Sequence, residues 1–380
     1  SLMFHTSIPA QSSWNPSQFA DSQGFVLATR DSPRLTAYIW NPTSGLTASF
    51  QPSSDWGNEP NGLSARKQGK YIAVCSASGS RWSVYNFDTS TGFGSLDHDA
   101  TLSNLRAIKF SPYGNLLAVA TTTAINVYNF SPTTGVGDLL QSLSTTVTTI
   151  TDIDFAPDGS FFLVAGQGGD IIEVFPVNNR RNVNAFGAGQ VCVTTPSVAA
   201  GNDSGAGDKK GFCKVSGRCQ NGYYYYCYES DHNVYYGRIN NGVPQSPSEI
   251  QFGNTQQPFG QVFVPDKNLL VITHSTEYGN YVSSGTDVRS YALSDNVSNK
   301  EYTANVGGFA NQLGTSNRGG LAYNATYMAN YDAIVLANWD NIGNTHPLTT
   351  LTIASDGSFT EVTRPVASGT VNDGLLVDWL

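Results

Sequence analysis

The stretch "IKFSPYGNLLAVATTTAINVYNFSPTTG" (Ile108–Gly135) returns, altered, as "IDFAPDGSFFLVAGQGGDIIEVFPV" (Ile153–Val177), about 45 residues later. Just before it and at its start, "LRAIKF" alternates, the pattern of a half-buried strand. "SPYG" reads as a turn, with Pro112 presetting one dihedral and Gly114 free to take another. "NLLAVAT" is a nearly continuous apolar run, as expected of a strand covered on both faces. "AINVYNF" alternates again, "SPTTG" turns, and a weaker polar segment leads to the next unit. One unit is therefore four short antiparallel strands joined by tight turns.

Further copies follow from the third strand and its turn: "LTAYIWNPTSG" (ending at Gly45), "WSVYNFDTSTG" (Gly92), "INVYNFSPTTG" (Gly135) and "IIEVFPVNNR" (Arg180). They continue as "NVYYGRINNG" (Gly242), "DVRSYALSDN" (Asn296) and "LTTLTIASDG" (Gly357). The copies lie about 43 to 63 residues apart, a period of propellers and repeat arrays. Second strands read "GFVLAT", "YIAVCS", "NLLAVAT", "FFLVAG", "YYYYCYE", "LLVITHS" and "AIVLANW"; first strands read "LRAIKF", "ITDIDFA", "GQVCVT", "FGQVFV" and "GGLAYN".

The first unit lacks an opening strand, and the last residues, "NDGLLVDWL" (372–380), have that strand's character. The expected fold is all-β: a seven-bladed propeller of four-stranded antiparallel blades, closed by the C-terminal strand pairing in the N-terminal blade. Closure hides sheet edges and an apolar end face that an open array would expose. Residues 1–380 read as a single propeller domain, with 1–23 as an N-terminal arm and 372–380 as the closing strand.

At "FSPYGNLLAVA", "FAPDGSFFLVA" and "YNFSPTTG" the chain resembles seven-bladed propellers of the lactonase and tryptophan–aspartate-repeat type. The resemblance is strongest over Leu105–Val177 and implies the fold. It says little of function, because these residues shape turns and bury strands. The catalytic residues of lactonases do not map onto this chain.

Composition narrows the function classes. Twenty Lys plus Arg against 29 Asp plus Glu give a net charge of −9, which opposes unspecific attraction to nucleic acid or anionic lipid. No apolar run approaches the roughly 18 residues of a membrane span. The opening "SLMFHTSIPAQSS" has no basic segment followed by an apolar run, so no signal peptide is expected, and virion or cytoplasm is favoured over secretion. The five cysteines are an odd count, which favours reduced thiols; Cys75 reads as a core residue, and a Cys213–Cys219 loop disulfide would need an oxidising milieu.

The candidate chemistry is thin. The five histidines show no metal-ligand spacing, Cys213, Cys219 and Cys227 lack paired knuckles, and Asp203 and Asp208 lack the calcium-loop pattern, so no metal and no cofactor is expected. Asp152 and Asp154 in "TDIDF" share one strand face, suited either to acid–base work or to tying down turns. "YYYYCYESDHNVYY" (Tyr223–Tyr236) puts Tyr224, Tyr226 and Tyr228 on one side and Tyr223 and Tyr225 on the other, to fill gaps between sheets with one or two rings left for contact.

These features favour a non-enzymatic propeller that presents loops to a protein or glycan partner, with a virion-associated capsid, spike or tail role and assembly on a larger particle as one setting. A lactonase-like hydrolase at the channel mouth and an intracellular adaptor are the alternatives. Contact residues are expected in the long loop of the fifth unit, Pro196–Gly222, and in the excursions of the sixth and seventh: Lys209, Lys210, Tyr278, Tyr281, Trp339 and His346.

Overall fold

The computed structural model describes residues 21–169, 172–178, 185–191, 215–220, 223–229, 233–251, 256–276, 288–293, 302–308, 321–339, 348–362 and 374–380. Strands β1 (Gly24–Thr29), β2 (Leu35–Asn41) and β3 (Gly45–Phe50) open the chain, followed by β4 (Gly62–Ala65), β5 (Tyr71–Ser76), β6 (Arg81–Asp88) and β7 (Gly92–Thr101). Next come β8 (Leu105–Phe110), β9 (Leu116–Thr121), β10 (Ile125–Ser131) and β11 (Gly135–Leu143). The fourth blade has β12 (Val147–Phe155), β13 (Phe161–Gly169), β14 (Ile172–Asn178), β15 (Ala185–Phe186) and β16 (Gln190–Val191). The fifth has β17 (Val215–Gln220), β18 (Tyr223–Glu229), β19 (Asn233–Asn240), β20 (Val243–Pro244) and β21 (Ser248–Gln251). The sixth has β22 (Gln256–Val264), β23 (Leu269–Thr276), β24 (Val288–Leu293) and β25 (Tyr302–Gly308). The seventh has β26 (Leu321–Met328), β27 (Ala333–Trp339), β28 (Leu348–Ile353) and β29 (Phe359–Glu361), and β30 (Gly374–Trp379) ends the chain.

These strands form seven antiparallel blades, each with its first strand innermost and its later strands stacked outward. The seven apolar second strands fall where the repeat places them, because the second strand is covered on both faces. Phe25–Ala28, Ile72–Cys75 and Leu117–Ala120 are all fully buried. Buried clusters then join each blade to the next: Ala73, Val84 and Ile108 between the second and third, Val127, Ile153 and Phe162 between the third and fourth. The turn from first to second strand needs a left-handed residue. Gly114 and Gly159 supply it in the third and fourth blades, at φ 68° and 74°, and Asn268 and Asp332 take the role in the sixth and seventh, at φ 56° and 52°.

The ring closes as the terminal segment implies. β30 pairs antiparallel with β1 in the register Phe25↔Trp379, Val26↔Asp378 and Leu27↔Val377. The Gln23 amide donates to the Leu380 carbonyl at 2.8 Å, and the Leu380 amide to that of Gly24 at 2.9 Å. Leu375, Leu376 and Val377 are 2, 4 and 5% exposed. Burial of this kind contributes about 1.5–3 kcal/mol per side chain, an upper estimate.

One expected strand is corrected. "GQVCVT" does not open the fifth blade: Gln190 and Val191 pair with Val174 and Glu173 of β14, completing the fourth blade's outer edge. A third strand with an open edge is satisfied most easily by the segment that follows it locally. The fifth blade opens instead with β17, inside the stretch expected to be loop, and β17 pairs with β18 from Val215↔Tyr228 to Gln220↔Tyr223. The sequence signal for that hairpin is Asn221-Gly222, a pair favoured in two-residue turns. A loop-trimming deletion of Ala199–Gly217 would therefore cut into the fifth blade's innermost strand.

The tyrosine-rich strand packs on both sides. Tyr226 and Tyr228 join Phe161 and Leu163 of the fourth blade, with Tyr224 against them, whereas Tyr225 and Cys227 join Leu270 and Ile272 of the sixth. Tyr225 stacks on Tyr236 with ring centroids 5.4 Å apart, and the Tyr228 hydroxyl donates to the Gly166 carbonyl at 2.8 Å. Bulky rings fill the gap between these blades. Cys75 is buried in the core as expected, its thiol 3.4 Å from Asn61 Oδ1.

Candidate functional site

Among the described residues, the ends of six innermost strands, β30, β4, β8, β12, β22 and β26, surround a cavity of about 280 Å³. In three of them the final pair is a charge followed by an aromatic ring: Lys109-Phe110 in β8, Asp154-Phe155 in β12 and Asp378-Trp379 in β30. The matching pairs are Ser64-Ala65 in β4, Val262-Phe263 in β22 and Thr326-Tyr327 in β26. The second blade adds Lys67 from its first turn, so four consecutive blades each bring one charged group to the cavity. Asp21, an exposed residue ahead of β1, also lines it.

In four of the six pairs the first residue also stitches its blade to the next. Thr326 Oγ1 accepts the Trp379 amide at 3.2 Å, Asp378 Oδ2 accepts the Ala65 amide at 2.8 Å, and Ser64 Oγ accepts the Phe110 amide at 3.0 Å. Lys109 continues the series by side chain alone, with Nζ 3.5 Å from Asp154 Oδ1. Asp154 thus reaches into the cavity wall, whereas Asp152, two residues earlier on the same strand, is buried.

The turn that carries Lys67 is fixed by its neighbours. Buried Arg66 donates from Nε to the Gly114 carbonyl at 3.0 Å, and Gln68 donates to the Pro112 carbonyl, so the second blade's turn is tied to the third's. Lys67 Nζ donates to Asp378 Oδ1 at 2.7 Å and to the Trp379 carbonyl at 2.8 Å, and lies 4.2 Å from the centroid of the Trp379 ring. Across the cavity, the Tyr327 hydroxyl donates to Asp266 at 2.8 Å, while Lys267 bridges Asp266 and Asp332. Burial, reinforced by these carboxylates, pushes the Tyr327 phenol far up, so it stays protonated.

The two cavity lysines are driven apart. Burial, the largest influence on Lys67, outweighs the pull of Asp378, and with the neighbouring Lys109 charge it lowers Lys67 to about 8. Burial also works against Lys109, but Asp154, Asp378 and Asp152 outweigh it and hold Lys109 above the ordinary lysine value. The side chains are 19% and 40% exposed, so Lys109 is the more open to a ligand. The site therefore offers a permanent cation, an amine near neutrality, two carboxylates and an aromatic face. Among the described residues, no three or more His, Cys, Asp or Glu side chains gather as a metal site.

Of the residues expected to make contacts, Trp339 alone falls among the described residues, and it is not part of the cavity lining. Trp339 is the last residue of β27 and pairs with Leu321 at the start of β26, on the face opposite the cavity. Lys209, Lys210, Tyr278, Tyr281 and His346 lie outside the described residues, as do Asp203, Asp208 and Cys213. His98, a described histidine, stacks on Trp82 with ring centroids 4.2 Å apart in the second blade, away from the cavity.

No protein-family model matches this chain, and no curated protein matches its sequence. Among solved structures it is similar to a candidate 6-phosphogluconolactonase from Bacteroides uniformis, at TM-score 0.68 and 15% identity over 95% of this chain and 100% of that one. It is also similar to the periplasmic gluconolactonase PpgL of Pseudomonas aeruginosa, at TM-score 0.59 and 14% identity over 94% and 98%. A third is the β-propeller domain of Cps50 (Swd1) from Myceliophteria thermophila, at TM-score 0.55 and 9% identity over 85% and 91%. At such identities the likeness is one of fold alone, that of a seven-bladed β-propeller.

Proposed function

We propose that this propeller is a non-enzymatic binding module that takes a sugar, the terminal unit of a glycan, into its axial cavity. The observation that carries the reading is the meeting of Lys67, Lys109, Asp154 and Asp378 around one small cavity beside Trp379. A sugar hydroxyl both donates and accepts, so it matches a wall that alternates carboxylates with ammonium groups. An aromatic face suits the C–H side of the ring. At about 280 Å³ the cavity lies near the small end of ligand pockets, room for one small ligand. Charges of both signs, with Asp21 at the rim, disfavour a polyanion. A titration of glucose, galactose, mannose and gluconate tests this. At least one should bind, and Lys109→Ala and Asp154→Ala should each weaken it about tenfold or more. Absence of binding across the panel overturns the reading.

A second reading, hydrolysis of a small lactone at the same mouth, draws support from Lys67 being an amine near neutrality beside a permanent cation. The lactonase names of two structural neighbours point to the same substrates. Turnover of gluconolactone that disappears in Lys67→Met would favour this reading over simple binding. The virion-associated setting and a protein partner at the loops of the fifth to seventh blades belong to the same proposal. They draw on composition: low charge and loops rich in Asn, Ser, Thr and Tyr.

A further inference from the structure

We infer that Lys67 is a covalent capture site for small aldehydes, forming a Schiff base inside the axial cavity with Asp378 as its proton relay. This deepens the reading of the cavity as a sugar site, because an aldose exposes an aldehyde in its open-chain form. Three observations converge. Lys67 lines the cavity and is held there by a tied-down turn, so its amine is already placed. Asp378 Oδ1 lies 2.7 Å from its Nζ, close enough to take the ammonium proton. A second lysine, Lys109, lines the same cavity and keeps its charge through Asp154, an arrangement in which one cation disfavours protonation of its neighbour.

The chemistry balances without an oxidant or reductant. Asp378 takes a proton from the Lys67 ammonium, and the freed Nζ lone pair forms a bond to the aldehyde carbon. The carbonyl oxygen takes one of the two protons still on nitrogen and becomes the hydroxyl of a carbinolamine. Loss of that oxygen as water, with the Asp378 proton and the remaining amine proton redistributed to it and to solvent, leaves the C=N bond. Lys109 stands ready to donate to the ligand's oxygens.

The test is labelling of the intact protein with glyceraldehyde and sodium cyanoborohydride, which reduces the imine to a stable amine, followed by mass mapping of its eight lysines. Lys67 should be labelled about tenfold faster at pH 7.5 than Lys70, an exposed lysine of the same turn. Lys67→Arg should remain folded and lose the fast label, while Lys70 is still labelled at its wild-type rate. Labelling of Lys67 no faster than Lys70 overturns the inference. Methyl glucoside, a sugar without a free aldehyde, separates this result from the binding reading. If it binds and raises the melting temperature while Lys67 stays unreactive, the sugar site stands and capture falls. If Lys67 reacts rapidly while methyl glucoside neither binds nor protects, capture stands and the glycan reading falls.

Discussion

The carboxylate of Asp378 accepts the backbone amide of Ala65 at 2.8 Å, across the seam where the last strand of the chain meets the second blade. The same carboxylate holds the Lys67 ammonium at 2.7 Å. One side chain on the closing strand therefore serves the closure of the ring and the wall of the cavity together. Anything that binds the cavity only when Asp378 and Trp379 are in place stabilises the closed ring by mass action.

Removing Asp378 tests this joint role. Asp378→Ala leaves the Ala65 amide without that acceptor and the largely buried Lys67 without its hydrogen-bonded carboxylate, so a loss of about 2–4 kcal/mol is expected in denaturant unfolding. Asp378→Asn keeps an acceptor for the amide and should fall between wild type and alanine. Truncation before Gly374 removes the whole innermost strand of the first blade and should give insoluble protein. An alanine variant that unfolds at the wild-type denaturant midpoint would show that the seam holds without this contact.

The lowered Lys67 value predicts a direction of pH dependence. The folded group titrates near 8 and the unfolded one near the ordinary lysine value of about 10.4. Between these, the unfolded chain binds more protons, so this residue's contribution to stability rises with pH. The stability of wild type minus that of Lys67→Met should therefore increase by about 1–2 kcal/mol from pH 7.5 to 9.5. Lys109, held up, works in the opposite sense only above its unfolded value, and the raised tyrosines only near pH 10 and beyond. A flat or falling difference over that window would mean that Lys67 keeps its proton at ordinary strength.

The fold was legible because a propeller repeats its demands. Each second strand is covered on both faces, so "NLLAVAT" and "FFLVAG" had to be continuous apolar runs, and each first turn needed a residue that tolerates positive φ, met by Gly114 and Gly159. Where the local demand weakens, the reading slips. The fifth blade's first strand, "VSGRCQ", is too polar to stand out, and its neighbour "GQVCVT" carries the more strand-like pattern while serving the blade before it. The site was harder. Lys67, Lys109, Asp154 and Asp378 lie up to 311 residues apart and show no motif in any one segment. Only alignment of the first-strand ends, Lys109-Phe110 under Asp154-Phe155 under Asp378-Trp379, brings out the shared position. Loop length points to Lys209, Tyr278 and His346, which lie outside the described residues.

The tyrosine cluster offers a control, because the two roles weighed for it make opposite demands. Tyr228 is 1% exposed, its hydroxyl donates to the Gly166 carbonyl at 2.8 Å, and it does not line the cavity. Gly166 is a glycine for a separate reason: a Cβ there would lie 2.0 Å from the Thr149 carbonyl oxygen, where β12 and β13 bulge. Tyr228→Phe keeps the ring and removes the donor, so a loss of about 1–2 kcal/mol is expected from the buried bond alone. Tyr228→Ala also empties the space between the fourth and fifth blades and should cost about 3–5 kcal/mol. Neither should change the affinity for a sugar in the axial cavity once folded protein is compared with folded protein. A phenylalanine variant of wild-type stability that loses ligand would move Tyr228 from blade packing to the binding surface.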